Sequence, residues 1–297
     1  MHDSMLDYGR YRYLWVSLLL SIGSLTAYLW HDPIGVPNGG SWLGYTLGTI
    51  GALLILWLLW FGIRKRRYAR ASGSVRGWLS AHVYLGTTLI LIALLHAGFQ
   101  VGWNIHTLAL VLMLLVIFSG FFGVYAYLRY PAMMTRNRAN STRAAMIEEI
   151  RDLDQQALTL ADRIDRSVHD TILRSIQNTR LGGGVWAQMR ARDDSGQALS
   201  KLREAVLKVN EAGAEKKTGQ TMVMMVDFLA NQANDNQAEN LRRLIDLVAR
   251  KRALATRVAR DIQLQALMEI WLYVHVPLSL GLLGALTAHI VAVFFYW

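Results

Sequence analysis

Five long apolar stretches constrain the fold of this 297-residue chain more than any other feature. A helix needs roughly 20 apolar residues to cross about 30 Å of hydrocarbon, and each stretch approaches or exceeds that length. The sequence therefore predicts an all-α integral membrane bundle of five transmembrane helices. The predicted spans cover about residues 14–30, 42–63, 78–99, 106–128 and 266–297.

The positive charges are confined to three parts of the chain. All 31 Lys and Arg residues lie within residues 10–12, 64–76 and 129–260. By the positive-inside rule these parts face the cytoplasm, so the N-terminus is inside and the C-terminus is outside. We expect a multi-pass protein of a bacterial-type inner membrane. The net charge of +10 is then explained by orientation and contact with membrane lipid, and nucleic acid is not expected as a partner.

The polar segment between the fourth and fifth spans has its own helical pattern. We expect residues 1–135 to form a membrane bundle, residues 136–265 a cytoplasmic helical hairpin or coiled-coil insertion, and residues 266–297 the last span. Apolar residues at helical spacing form a first stripe, which ends at the glycines 182–184. A shorter helix is predicted over about residues 196–212. Asn236 and Glu239 suggest the capped start of a third helix that continues into the fifth span. The first stripe comprises Met146, Ile150, Leu153, Ala157, Ala161, Ile164, Val168, Ile172 and Ile176.

The chain contains no cysteine. This excludes covalent c-type haem attachment, an iron–sulfur cluster held by the chain's own thiolates, a disulfide and a thiol nucleophile. A redox centre in this protein would need nitrogen or oxygen ligands, or would be held by packing.

Two histidine pairs interrupt the apolar spans at equal spacing. His82 and His96 in the third span, and His275 and His289 in the fifth, are each separated by thirteen residues. Fourteen residues of helix advance about 21 Å and leave the two side chains only about 40° apart, so each pair shares a face. The two spans run in the same direction, which lets His82 face His275 near the inner surface and His96 face His289 near the outer one.

Two imidazoles that oppose each other across a gap are the ligand set of a six-coordinate b-type haem. The sequence therefore predicts two b-type haems, an inner one between His82 and His275 and an outer one between His96 and His289. Small residues would let a flat macrocycle approach the backbone, and three are available near these histidines. They are Gly86, Gly281 and Gly284.

Other roles for buried histidines remain open at this point. They could line a proton or ion pathway, or satisfy structural hydrogen bonds. His106 begins the fourth span on the outer side. It could ligate the outer haem in place of His96 or His289, bond a haem propionate, line a quinone pocket, or simply lie at the membrane interface.

Paired histidines with this spacing on two membrane helices resemble the two-haem cytochrome b of respiratory and photosynthetic bc complexes. The five-helix plan is also similar to that of the membrane anchor of respiratory nitrate reductase. The resemblance implies that the four paired histidines are axial iron ligands. It further implies an electron-transfer subunit of an oxidoreductase complex, not a stand-alone enzyme, that works between a quinone or soluble redox protein and another redox protein.

Partners are then expected on both sides of the membrane. A cytoplasmic partner would bind the 136–265 insertion, and a periplasmic electron carrier would bind the short outer loops, with a quinone as a further candidate cofactor. Two alternatives come from other classes. One is a membrane scaffold or sensor with a cytoplasmic coiled coil, and the other is a proton-coupled transporter that uses the buried histidines.

Overall fold

The computed structural model describes residues 6–33, 37–66, 74–179, 181, 185–189, 196–204 and 223–295, and within these ranges the only regular structure is helical. The helices are α1 (Arg12–Trp30), α2 (Trp42–Arg66), α3 (Val75–His96), α4 (Ile105–Arg138), α5 (Arg143–Ala161), α6 (Arg166–Asn178), α7 (Val185–Met189), α8 (residues 196–204) and α9 (Val223–Phe295). The predicted all-α class is confirmed for the described chain.

The chain forms two compact units. The first contains residues 1–128 and 271–297, and the second contains residues 129–270, so α4 and α9 contribute residues to both. The sequence placed the corresponding boundaries after residues 135 and 265.

In the described parts of the chain, five helices are long and apolar enough to cross a membrane. They are α1 to α4 and α9, whose last part contains the fifth apolar stretch. Many large apolar side chains on these helices are exposed, such as Leu19 at 71%, Leu29 at 75% and Phe294 at 75%. Exposed apolar surface on that scale suggests lipid contact, and hence a multi-pass membrane protein.

Helix α3 has defined ends, and these fix the position of His96. It begins at Val75, where the Ser74 hydroxyl accepts a hydrogen bond from the Gly77 amide at 3.1 Å as an N-cap. It ends at His96, and Gly98 follows with a φ of +58°. A Cβ at Gly98 would lie 2.1 Å from the Pro37 carbonyl oxygen, so the turn that ends α3 requires glycine.

Helix α1 packs against α3 through buried polar groups. The Ser17 hydroxyl donates to the Tyr84 carbonyl oxygen at 3.0 Å and also contacts the Thr88 hydroxyl. Ser17 and Thr88 are both buried. Small hydroxyl-bearing residues of this kind let membrane helices approach closely and hydrogen-bond across the interface.

In the second unit, the first predicted helical stripe is two helices and not one. Helix α5 ends at Ala161 and α6 begins at Arg166. The Asp165 carboxylate caps α6 by accepting from the Ser167 amide at 3.0 Å and from the Ser167 hydroxyl. These hydrogen bonds from Ser167 hold the pKa of Asp165 below its ordinary value. The apolar spacing continues across the break because both helices face one core, so periodicity alone could not reveal it.

The predicted helix start at Asn236 is wrong. Helix α9 already begins at Val223 and passes through Asn236 without interruption. An Asn followed three residues later by Glu caps a helix only where the backbone leaves the helix, and here it does not. The prediction that this helix continues into the fifth span is confirmed, and Pro277 lies within it.

Buried ion pairs accompany the apolar core of the second unit. Asp261 is fully buried, and its carboxylate accepts from Arg138 Nε at 2.8 Å and Arg143 Nε at 2.7 Å. Lys251 Nζ lies 2.7 Å from Asp154 Oδ1 and is also buried. A first buried cluster of this unit comprises Ala157, Ala161, Val168, Ile172, Ala198, Leu199, Leu202, Leu241, Leu244 and Val248, and a second comprises Met146, Ile150, Ala255, Val258 and Ile262.

Candidate functional site: histidines at two levels of the apolar unit

Helix α2 holds both histidines of α3 through its backbone. His96 Nδ1 lies 2.8 Å from the Gly44 carbonyl oxygen, and His82 forms a hydrogen bond with the backbone of Leu58. A carbonyl oxygen can only accept, so Nδ1 of His96 carries the proton and its Nε2 is the nitrogen available as a ligand. Gly44 and Leu58 are fourteen residues apart, the same spacing as the two histidines.

The glycines of α2 and of the preceding turn make room for the His96 ring. A Cβ at Gly48 would lie 2.7 Å from His96 Cε1, and one at Gly39 would lie 3.2 Å from the same atom. The first distance is shorter than any ordinary contact between carbon atoms, which is about 3.5–4.0 Å. Gly48 is therefore needed for the imidazole to pack directly on the α2 backbone.

Helix α4 holds both histidines of α9 through side chains. His275 Nδ1 lies 2.6 Å from the Ser119 hydroxyl oxygen, and His289 Nδ1 lies 2.6 Å from His106 Nδ1. The single proton of the Ser119 hydroxyl is donated to the Val116 carbonyl oxygen at 2.8 Å. With its proton donated to Val116, the Ser119 hydroxyl can accept from His275 Nδ1, and this contact is compatible with the tautomer that leaves Nε2 available.

A tryptophan completes the inner contact between α4 and α9. Trp271 Nε1 donates to the Ser119 carbonyl oxygen at 2.8 Å, and its ring lies 5.2 Å from the His275 ring at 32°. A Cβ at Gly123 would lie 2.1 Å from Trp271, so only glycine fits there. Gly120 is less crowded, because its Cβ would lie 3.8 Å from His275 Cε1.

Three histidines meet at the outer level. The ring centroids of His96 and His289 are 5.9 Å apart at 81°, and those of His106 and His289 are 4.6 Å apart at 88°. At the inner level, His82 and His275 are close enough to interact electrostatically. The structure therefore brings the members of the predicted outer pair together and adds His106 to them.

An apolar layer separates the two levels. Leu89 lies midway between His82 and His96, and Leu282 lies midway between His275 and His289. Seven residues are close to two helical turns, so each leucine shares a face with its two histidines. Both belong to one buried cluster, whose members are Ile55, Leu89, Met113, Leu282 and Leu286.

The three glycines predicted to lie beside the haems are farther from the histidines than Gly48 is. A Cβ at Gly86 would lie 3.9 Å from Leu58, the residue whose backbone bonds His82. A Cβ at Gly281 or Gly284 would meet no described atom within 4 Å. The role of these three glycines beside a macrocycle stays a prediction.

Sequence reasoning missed the partners of the paired histidines. Ser119 carries no motif, and a serine in an apolar span gives no signal of its own. The carbonyl groups of Gly44 and Leu58 have no side-chain signature at all. Glycines spaced like those at 44, 48 and 51 are typical of close helix packing, and this pattern does not reveal that one of them accommodates a histidine ring.

The outer pair fits the axial ligand set of a haem. Two imidazoles that bind one iron atom from opposite sides have ring centroids about 6 Å apart, since a metal–nitrogen bond is about 2 Å long. Among the described residues, no group of three His, Asp or Glu is placed to hold a metal ion. A haem needs only two, because its macrocycle supplies the other four nitrogens.

Comparisons of the chain with protein-family models, with curated proteins and with solved structures found no match.

Proposed function

We propose that the protein is a two-haem b-type membrane cytochrome that transfers electrons across the bilayer. The observation that carries this proposal is the outer pair, in which two rings lie 5.9 Å apart and each has its Nδ1 in a hydrogen bond. Metal-bound histidines commonly have such a partner for their second nitrogen, because it fixes the tautomer and the ring orientation.

The inner level supports the same role. His275 Nδ1 lies 2.6 Å from the Ser119 hydroxyl oxygen, which is a contact of the same kind. When bound, a haem supplies a one-electron centre at each level. The histidines would hold the two centres at depths about 21 Å apart, the rise of fourteen helical residues, with the apolar layer between them.

The proposed orientation follows the distribution of Lys and Arg. The N-terminus and the second unit would face the cytoplasm, and the C-terminus would lie outside. A bacterial-type inner membrane would suit this topology. As an electron-transfer subunit the protein would need redox partners, with a quinone or soluble carrier at one face and a further redox protein at the second unit.

The first test is a reduced-minus-oxidised spectrum of the purified protein with a haem-to-protein ratio. We expect b-type bands and two haems per chain. A well-folded preparation from haem-supplied cells that shows a flat spectrum would reject the proposal.

Single histidine variants test the assignment to two levels. His96→Ala or His289→Ala should remove the outer haem and leave the inner one, and His82→Ala or His275→Ala should do the reverse. His169→Ala is a matched control, because His169 lies in α6 and pairs with Asp162 at 2.5 Å. Loss of both haems in every paired variant, with folding intact, would contradict the two-level arrangement.

The absence of cysteine makes the orientation directly testable. Asn104→Cys and Ser141→Cys each introduce a single thiol, at the start of α4 and just after its end. In intact cells a membrane-impermeant maleimide should label the first variant and not the second. The reverse labelling would overturn the orientation and leave the haem proposal untouched.

A proton pathway is the second candidate function. The direct contact between His106 and His289 favours it, because two imidazoles 2.6 Å apart can pass a proton between them. Reconstituted vesicles distinguish the two. Proton uptake without haem bands would support the pathway, whereas haem bands with electron transfer across the vesicle membrane would support the cytochrome.

A further inference from the structure

Helix α4 contributes one hydrogen-bonding group at each histidine level, and both groups face α9. Ser119 and His106 lie at equal distances, 2.6 Å, from Nδ1 of His275 and of His289. Helix α2 contacts the histidines of α3 through the backbone groups of Gly44 and Leu58. The two candidate ligands of α9 contact side chains of α4.

The inner level has one consistent arrangement if His275 binds iron through Nε2. His275 Nδ1 then carries a proton and donates it to the Ser119 hydroxyl oxygen, and the Ser119 hydroxyl donates to the Val116 carbonyl oxygen. The backbone of Ser119 accepts from Trp271. Ser119 thus contacts α9 at two points, through its hydroxyl and through its carbonyl oxygen.

The outer level has one consistent arrangement if His289 binds iron through Nε2. His289 Nδ1 must then carry a proton and donate it, so the facing Nδ1 of His106 accepts. His106 consequently keeps its own proton on Nε2 and uses its available lone pair for His289. The contact with His289 therefore occupies Nδ1 of His106. His96 is then the ring that can oppose His289 across an iron atom, and the two ring centroids are 5.9 Å apart.

We propose that Ser119 and His106 are positioning residues for the two α9 ligands, Ser119 for His275 and His106 for His289, and that neither binds iron itself. This inference rests on the proposed function. An acceptor on Nδ1 increases electron donation from the imidazole to the metal and so favours the oxidised form. Removing the acceptor should raise the reduction potential of the affected haem and leave the other unchanged.

The test is a pair of crossed substitutions read by redox titration of the two haems. Ser119→Ala should raise the potential of the inner haem only, and His106→Ala that of the outer haem only, with both haems retained. Each variant is the control for the other. The EPR signal of the affected oxidised haem should change as well, because it reports the relative orientation of the two axial rings.

Conservative variants separate positioning from general structural support. Ser119→Thr keeps a hydroxyl, and His106→Asn keeps an oxygen acceptor close to the position of Nδ1. We expect each to return the potential toward the wild-type value.

Three results would overturn the inference. They are unchanged potentials in the alanine variants, equal shifts of both haems in each alanine variant, and loss of the outer haem in His106→Ala, which would make His106 a ligand. A wild-type protein without haem would instead reject the proposed function, so the two failures are distinguishable.

Discussion

Replacing Gly48 with alanine should displace His96 from α2. The added Cβ would lie 2.7 Å from Cε1 and 2.9 Å from Nδ1 of His96, against an ordinary contact of about 3.5–4.0 Å. The ring would have to move by about 1 Å. A shift of that size breaks its 2.8 Å hydrogen bond to the Gly44 carbonyl oxygen.

The expected cost combines two effects. Overpacking of a close contact costs about 1–3 kcal/mol, and loss of the hydrogen bond adds about 1 kcal/mol. Metal sites tolerate displacements of only about 0.5 Å, so the outer haem should also be lost or bound weakly. We therefore expect Gly48→Ala to lower the free energy of unfolding by about 2–4 kcal/mol and to reduce the outer haem content.

Gly51→Ala is the matched control on the same helix. Its Cβ would lie 3.7 Å from Leu89 Cδ1 and 3.8 Å from Ile92 Cγ2, which are ordinary contacts. Both substitutions gain the same helix propensity, so the difference between them isolates the contact with His96. Thermal unfolding in detergent and the haem-to-protein ratio provide the measurements. Equal unfolding and equal outer haem content in the two variants would refute the packing described for His96.

The second unit offers three further predictions, each measured by thermal unfolding of the full-length protein. Asp261→Asn should lower the free energy of unfolding by about 3 kcal/mol, because it leaves two arginines beside a buried site without their carboxylate. The exposed control Asp246→Asn should have little effect, and equal losses of stability in the two variants would contradict the ion-pair geometry. Leu244→Ala should cost about 2–5 kcal/mol, because Leu244 is fully buried in the core, and a loss no larger than that of Asp246→Asn would place it outside the core. Because the pKa of Asp165 is lowered in the folded protein, its cap contributes stability at pH values above the ordinary pKa of an aspartate. This stability is lost as the pH falls through the pKa of Asp165 in the folded protein. Asp165→Asn should therefore reduce the loss of thermal stability at low pH, and an unchanged pH profile would show that the cap contributes nothing.

The sequence predicted the membrane-like part of the fold well, because apolar length is a strong signal. The predicted first span, residues 14–30, corresponds to α1 at Arg12–Trp30, and the second, residues 42–63, to α2 at Trp42–Arg66. The fourth helix extends to Arg138, ten residues past its predicted apolar end, since helix formation does not stop where hydropathy falls. Caps were less predictable, because a local pattern such as Asn236 with Glu239 does not exclude a continuing helix.

The site was predictable only in part. The equal spacing of the histidine pairs is visible in the sequence, and it correctly indicated that His96 and His289 lie near each other. The hydrogen-bond partners could not be found in the same way. Backbone carbonyls such as that of Gly44 occur at every residue, and a serine in an apolar helix has many ordinary roles. The identity of the bound group stays a prediction.

The leucine and methionine layer between the two histidine levels has an electrical consequence. Leu89, Met113 and Leu282 offer no exchangeable proton, so a charge that passed this layer as an electron would cross without a compensating ion. Moving one elementary charge through the full membrane potential involves about 2.3 kcal/mol per 100 mV. If electrons cross this layer as proposed, their rate of transfer should depend on the membrane potential and should fall when the potential opposes their movement.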